Sequence, residues 1–163
     1  MGASAARDSS PRPLTFDIAI EIDAPADVVW EVIRDVERWP EWTPTVTSVR
    51  RLDTGALSVG SRARIRQPKL PRADWRVTAL EDGHGFTWVS SSPGVRVTAH
   101  HWVEARGGAS RAALSVGFAG LLGSLVGRLT RTLNERYLRL EAEGLKRRSE
   151  ERAAADTQSR PQR

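Results

Sequence analysis

The residue best suited to chemistry in this sequence is a histidine on an apolar strand. His101 lies in the segment 95–103, where it falls in register with Val97, Ala99 and Val103. Because alternate residues of a strand point to the same side, His101 should share the apolar face of that strand. A buried imidazole can act as an acid or a base, or it can be a structural group bonded to a neighbouring strand or helix. Both interpretations are open at this point.

Aromatic side chains fall on the same apolar faces. Trp75 lies on one predicted strand, and Phe86 and Trp88 share a face of the next. Trp39 and Trp42 bracket a proline-containing turn. Indole and phenyl rings bury large apolar areas, so these residues predict either a solid core or the wall of a cavity. Trp39 and Trp42 can equally plug the helix turn or gate a cavity mouth.

One predicted strand has a polar residue on its apolar face and a row of arginines on the other. Gln67 is in register with Ile65, and we interpret it either as a structural group or as one that orients a ligand. Arg62, Arg64 and Arg66 alternate with them. Such a row can hold a phosphate or an acidic acyl chain, but it more often faces solvent and pairs with carboxylates of the next strand, here Asp74.

Established catalytic patterns are missing from the sequence. There is no cysteine, which excludes disulfides, thiolate metal sites and a cysteine nucleophile. No His-x-x-x-His pair, glycine-rich phosphate loop or Gly-x-Ser-x-Gly elbow occurs. The sequence therefore predicts no metal site and no cofactor.

The elements that must position these residues can be read from alternation and turn signals. Asp23 and Pro25 predict a capped helix after a first strand around Ile18, and the proline-containing Trp39 turn follows that helix. Six further segments alternate between apolar and polar residues and end at glycine or proline turns: 45–52, 61–67, 75–80, 86–91, 95–103 and 111–118. Together they predict a seven-stranded antiparallel sheet.

Beyond Gly120 the period changes to that of a helix. Leucine and valine recur every three or four residues, at positions that include Val126 and Leu129, and predict one long amphipathic helix from 121 to about 148. Its apolar stripe needs a partner, and the apolar face of a curled sheet is the only large one available. The predicted fold is therefore α+β: a curved seven-stranded antiparallel sheet gripping one long C-terminal helix, with two short helices after strand 1. A gap between helix and sheet would form a pocket.

The chain's length and charge indicate one domain with polar ends. At 163 residues one core is expected, and we assign 1–13 as a disordered arm, 14–148 as the folded domain and 149–163 as a polar tail. The net charge is +5, but residues 146–163 carry +3 and residues 1–13 carry +1, leaving +1 for the body. A nearly neutral body argues against a nucleic-acid partner.

The chain gives few signs of location. Its opening residues lack the apolar run of a signal peptide, and the longest apolar passage is too short to span a bilayer. We therefore predict a cytoplasmic protein without a transmembrane segment, of unknown oligomeric state.

Several of these segments, in this order, resemble one known family. They are Ala24-Pro25-Ala26-Asp27-Val28-Val29-Trp30, Trp39-Pro40-Glu41-Trp42, Val59-Gly60-Ser61, Phe86-Thr87-Trp88, Ser92-Pro93-Gly94, His101 and Leu145-Lys146. The chain resembles the START-like (SRPBCC) helix-grip superfamily, in its polyketide cyclase/dehydrase and lipid transport branch, from about residue 16 to 150. The resemblance implies the same fold and a hydrophobic partner molecule. It leaves open whether the chain is an enzyme, because the branch includes aromatase/cyclases as well as carriers.

These observations favour the binding of a hydrophobic small molecule, such as a polyketide, a lipid or an isoprenoid-like compound, between the sheet and the helix. The predicted ligand-binding residues are Trp39, Trp42, Ile65, Gln67, Trp75, Phe86, Trp88, His101, Val126 and Leu129. One alternative is a polyketide aromatase/cyclase or dehydratase with His101 as its acid or base. Another is lipid handling at an anionic membrane surface, reached through the helix and the basic tail, with peripheral membrane contact.

Overall fold

The fold is seen in a computed structural model, which describes residues 13–159. The elements in chain order are β1 (Leu14–Ile22), α1 (Ala26–Arg34), a 3-10 helix (Val36–Glu41), β2 (Ser48–Arg51), β3 (Arg62–Arg66), β4 (Ala73–Glu81), β5 (Gly85–Ser92), β6 (Val95–Arg106), β7 (Ala109–Ala119), α2 (Gly123–Leu129) and α3 (Arg131–Gln158). The predicted arm lies outside the described residues except for Pro13.

All seven strands form one antiparallel sheet in the order β1-β7-β6-β5-β4-β3-β2. Consecutive strands from β2 to β7 are neighbours, and β1 pairs with β7 as an edge strand. Helix α3 packs on β1, β7 and α1, so the sheet holds it on one face. The predicted α+β helix-grip fold, with two short helices after strand 1, is confirmed.

Alternation places the predicted apolar faces inward. Ala112, Leu114 and Phe118 of β7 are buried, as are Val103 of β6 and Trp88 of β5. Strand β4 departs from the pattern, because a bulge shifts its register on β5 between Val77 and Ala79. A bulge adds one residue to a strand and reverses the alternation beyond it. Ala79 is therefore exposed, although uninterrupted alternation from Trp75 and Val77 predicts that it faces inward.

The arginine row of β3 faces away from the apolar side. Arg64 donates two hydrogen bonds to Asp74 of β4, at 2.7 and 2.8 Å, in a bidentate pair. The hydrogen bonds and charge of Arg64 lower the pKa of Asp74, so this carboxyl stays ionised in weak acid. The interpretation of Arg64 as a strand-surface residue paired with Asp74 is confirmed.

Helix α1 begins two residues later than a cap at Asp23 requires. Pro25 is the N-cap, with no side-chain hydrogen bond to the helix, whereas Asp23 was expected to cap it. The backbone N–H of Asp23 instead donates to Glu150 of α3, at 2.9 Å. Lys146 also donates to the Glu21 carbonyl, at 2.9 Å. These contacts tie the end of β1 to the C-terminal half of α3.

The predicted single C-terminal helix from 121 to about 148 is wrong in three respects. It is interrupted at Thr130, which separates α2 from α3 and whose hydroxyl donates to the Val126 carbonyl at 2.8 Å. Helix α3 then continues to Gln158, well past the predicted end. Its buried positions are also shifted by about one residue from the predicted stripe. The break at Thr130 changes the rotation of α3 about its axis relative to one continuous helix. The buried positions are Asn134, Leu138, Glu141, Ala142, Gly144, Leu145 and Ser149.

The apolar interior forms two clusters. The larger joins α1, the 3-10 helix and strands β3 to β6, and contains Trp30, Trp39, Trp42 and Trp88. The smaller lies around Phe16 where β1, β7 and α3 meet. No helix among residues 13–159 combines the length and the hydropathy that crossing a bilayer requires.

Candidate functional site

A cavity of about 490 Å³ lies between the sheet and the two C-terminal helices, lined by members of both apolar clusters. Strands β3 to β7 supply its walls, and α2 and α3 cover it. The exposed residues Pro71, Arg72, Ser91 and Ser92 are among its lining. The cavity therefore reaches the surface between the β3–β4 loop and the β5–β6 turn.

Three indoles form one wall. Trp88 packs against Trp75 with ring centroids 5.3 Å apart and against Trp39 at 5.2 Å. Trp39 is anchored from behind, because its indole N–H donates to the Ile33 carbonyl of α1 at 2.9 Å. The indole N–H of Trp75 is shielded from solvent and has no partner among the described residues. This wall is rigid, apolar and aromatic.

A buried histidine and a buried glutamate meet at the inner end of the cavity. His101 Nε2 lies 2.9 Å from Glu141 Oε1, and their side chains are 7% and 11% exposed. The imidazole stacks on Phe86, with centroids 5.1 Å apart, and packs against Trp39 at 4.9 Å. Its Nδ1 has no partner among residues 13–159. A proton can pass between imidazole and carboxylate along this hydrogen bond, so the pair is suited to acid–base chemistry.

Helix α3 turns a row of polar groups toward the cavity. Thr130, Asn134, Tyr137 and Glu141 all line it. Asn134 Nδ2 donates to the Thr130 hydroxyl at 2.9 Å, and the Tyr137 hydroxyl donates to the Pro68 carbonyl of the β3–β4 loop. Burial raises the pKa of the Tyr137 phenol, an effect that the charge of Arg136 opposes, so the phenol remains a neutral donor. The cavity thus has an aromatic wall and a polar wall.

Most of the predicted site residues share this cavity. Those that line it are Trp39, Ile65, Gln67, Trp75, Trp88, His101 and Val126. Phe86 and Trp42 are buried and lie behind the lining, where Phe86 supports the His101 ring. Leu129 is 78% exposed on α2, so its predicted place on the cavity wall is wrong. The glycines of α2 explain this error, because buried Gly123 and Gly127 form the face that meets the protein and the leucines lie outside.

Sequence reasoning missed Glu141 and Asn134. Both lie on the buried face of α3 with Leu138 and Leu145. A prediction that had taken Leu138 and Leu145 as the centre of the apolar stripe would have included them. Continuing the predicted stripe from Val126 and Leu129 at helical spacing leads to Leu133, which is only half-buried. Within the described residues, no group of three or more histidine, aspartate or glutamate side chains is placed to hold a metal ion.

Comparison with known proteins relates the chain to one sequence family. The profile of the family described as polyketide cyclase / dehydrase and lipid transport matches residues 13–150. None of the curated proteins compared with the chain matches it.

Similar solved structures include two aromatase/cyclase proteins and one synthase. The Zhui aromatase/cyclase of a Streptomyces species is 15% identical, with a TM-score of 0.68 over 91% of this chain and 98% of that one. A point mutant of Thalictrum flavum norcoclaurine synthase is 14% identical, with a TM-score of 0.66 over 87% and 98%. The di-domain ARO/CYC protein BexL is 21% identical, with a TM-score of 0.64 over 84% of this chain. This chain spans 46% of BexL, about half its length. At these identities the likeness shows the fold.

Proposed function

The chain belongs to the polyketide cyclase / dehydrase and lipid transport family, and from that premise we propose that it binds a hydrophobic small molecule between the sheet and α3. The observation that carries the proposal is the cavity of about 490 Å³ with its wall of three indoles. Pockets of roughly 300 to 1,000 Å³ with apolar walls and a few polar groups are typical of small-molecule sites. Polyketides, lipids and isoprenoid-like compounds are the proposed ligand classes.

Affinity would come from burial of apolar ligand surface, at about 25 cal/mol per Å². Trp75 and Trp88 present the broadest apolar surfaces, and Ile65 and Val126 line the space with them. Gln67 and His101 are placed to orient a polar end of the ligand, because both are lining residues with hydrogen-bonding side chains. The cytoplasm remains the predicted location.

The direct test is denaturing mass spectrometry of the purified protein for a co-purified apolar compound. The compound is then added back to stripped protein and followed by tryptophan quenching. Trp75→Ala should weaken its binding about tenfold or more, because the substitution removes one indole of the wall.

Trp102→Ala is the matched control, since Trp102 lies on β6 but is not part of the cavity lining. Equal affinity in Trp75→Ala and the native protein would place the ligand elsewhere, and the absence of any bound or binding apolar compound would refute the proposal.

The second candidate is a polyketide aromatase/cyclase or dehydratase acting on a bound intermediate. The specific observation that favours it is the 2.9 Å hydrogen bond between His101 and Glu141 beside the cavity. In this proposal the imidazole removes a proton from carbon next to a carbonyl group and delivers one to the departing hydroxyl. Glu141 fixes the orientation of the ring and acts as a positioning residue.

His101→Ala should lower kcat on a poly-β-keto substrate at least about tenfold while the protein stays folded. Glu141→Gln keeps a hydrogen-bonding side chain of similar size, so it should lower kcat with little change in KM and alter the pH profile of kcat. Unchanged turnover in His101→Ala would remove the acid–base role without affecting the binding proposal.

A further inference from the structure

Helix α2 is oriented opposite to an ordinary surface helix. Its glycines face the protein: Gly123 and Gly127 are buried, and a Cβ atom at Gly127 would lie 2.9 Å from the side chain of Leu14 and 3.1 Å from that of Phe118. A helix of a globular protein normally turns its large apolar side chains to the core. Here the close approach favours glycine at the positions that meet Leu14 and Phe118.

The leucines consequently point outward. Leu121 is 98% exposed, Leu129 78%, Leu125 55% and Leu122 49%. Among the described residues only one other large hydrophobic side chain is comparably exposed, Val59 at 62%. These four exposed leucines lie close together in sequence, between residues 121 and 129, and large exposed apolar surfaces mark sites of interaction. We call these four residues the leucine surface.

The leucine surface lies at the open end of the cavity. Its residue Leu122 donates its backbone N–H to the Gly94 carbonyl of the β5–β6 turn at 2.9 Å. On the inner side of α2, Val126 lines the cavity, as does Thr130 at its end. A partner that contacts the leucine surface would therefore lie beside the route into the cavity.

Positive charge surrounds the leucine surface. The segments at this end of the cavity, 67–72, 91–96 and 119–132, contain Lys69, Arg72, Arg96, Arg128 and Arg131 and no aspartate or glutamate. Arg131 pairs with Glu135 at 3.4 Å, whereas the other four form no salt bridge with a described residue. This end of the folded body is basic, whereas the body as a whole is close to neutral.

We infer that the leucine surface and its basic rim dock the protein on an anionic phospholipid bilayer. Leucine side chains enter the interfacial region while lysine and arginine attract the anionic headgroups. A protein partner is less favoured by this composition, since interface hot spots are rich in tryptophan, tyrosine and arginine and poor in leucine. The docking does not depend on which compound the cavity holds.

Vesicle flotation tests the inference with the full chain. Vesicles of phosphatidylcholine alone are compared with vesicles containing about 30% phosphatidylglycerol. The native protein should float with the anionic vesicles, and salt should weaken this binding. The triple variant Leu121→Ser, Leu125→Ser, Leu129→Ser should bind about tenfold more weakly or worse. The variant Lys69→Gln, Arg96→Gln, Arg128→Gln should lose the preference for anionic vesicles.

Two controls make the same kinds of change, one apolar and one basic, at positions away from the leucine surface. Val59→Ser removes an exposed apolar side chain in the β2–β3 loop, and Arg106→Gln removes a charge at the far end of β6. Both should bind vesicles as the native protein does. Because the replaced leucines are exposed, circular dichroism of the triple variant should be unchanged, and its ligand affinity should be retained.

The inference is overturned if the native protein binds neither kind of vesicle. It is also overturned if the leucine triple variant binds vesicles normally. If light scattering shows a native oligomer that the triple variant lacks, and no vesicle binding, the leucine surface joins two copies of the chain instead. Recovery of a specific acidic protein without vesicle binding would likewise replace the bilayer as the partner.

Discussion

Replacing Trp39 with alanine should destabilise the domain by about 3 to 5 kcal/mol, the range observed when a large aromatic side chain is removed from a core. Trp39 is 2% exposed and packs against Trp88, Trp42 and Phe86, with ring centroids 5.2, 5.8 and 6.4 Å away. It also packs on His101 at 4.9 Å. Through these rings Trp39 joins the 3-10 helix to β5 and β6.

The loss has two separable parts. Alanine leaves a void among the rings, and it also removes the donor to the buried Ile33 carbonyl. Trp39→Phe keeps a ring and removes only the donor and part of the volume, so it should cost about 1 to 2 kcal/mol. The difference between the two variants measures the packing contribution.

Chemical denaturation followed by circular dichroism checks this prediction, because tryptophan fluorescence itself changes with the mutation. The melting temperature of Trp39→Ala should fall by about 10 °C for a chain of this length. Trp102→Ala, on the other face of β6, should cost only about 1 kcal/mol. A loss in Trp39→Ala no larger than that of Trp102→Ala would contradict the central role of Trp39.

The sheet could be predicted from the sequence because its information is local. Alternation in β6 and β7 and glycine turns between strands specify which residues face inward, and the observed registers pair those residues. The bulge between Val77 and Ala79 of β4 could not be predicted, since a strictly alternating pattern carries no signal for an inserted residue. Alternation therefore places Ala79 on the wrong face.

The C-terminal helices show what local periodicity leaves out. Leucines at helical spacing predicted burial of Leu129, yet the glycines of α2 decide which face meets β7. That choice depends on contacts with Phe118 and with Leu14, and Leu14 is distant in sequence from α2. The break at Thr130 then shifts which residues of α3 face the sheet. A prediction that assumes one continuous helix therefore leaves Glu141 off the buried face.

Part of the candidate site was therefore accessible from sequence and part was not. His101 could be singled out because one ionisable residue stood on an apolar strand face. Its partner Glu141 lies 40 residues away along the chain, and only the packing of α3 on the sheet brings the two side chains together. Ionisable residues on a helix are common, so nothing local distinguishes Glu141 from its neighbours.

That packing rests on Gly144, where a substitution should have the second large effect. A Cβ atom at this position would lie 2.3 Å from the backbone oxygen of Trp42 and 3.2 Å from its ring atom Cε3. Gly144→Ala should therefore destabilise the protein by about 3 kcal/mol, because a backbone oxygen cannot rotate away as a flexible side chain can. Alanine is a better helix former than glycine by about 1 kcal/mol, so helix propensity alone would stabilise the variant. A loss of stability would therefore identify the contact with the Trp42 backbone as its cause.

The measurement is denaturant unfolding of Gly144→Ala beside Gly108→Ala. Gly108 lies in the β6–β7 turn, a Cβ atom there would have no neighbour within 4 Å, and its φ is not positive. Gly108→Ala should change the free energy of unfolding by less than about 0.5 kcal/mol.

The Gly144 contact also determines the geometry of the site. Arg147, one turn along α3, donates to the same Trp42 carbonyl at 2.9 Å, so an alanine at 144 acts on a point where the helix is held from two positions. Glu141 lies one turn earlier on the same helix, and displacement of α3 would lengthen its 2.9 Å contact with His101. A stable Gly144→Ala protein with unchanged ligand affinity would mean that α3 is seated by its apolar face alone; a destabilised one with weakened binding would mean that the Trp42 backbone sets the distance between helix and sheet.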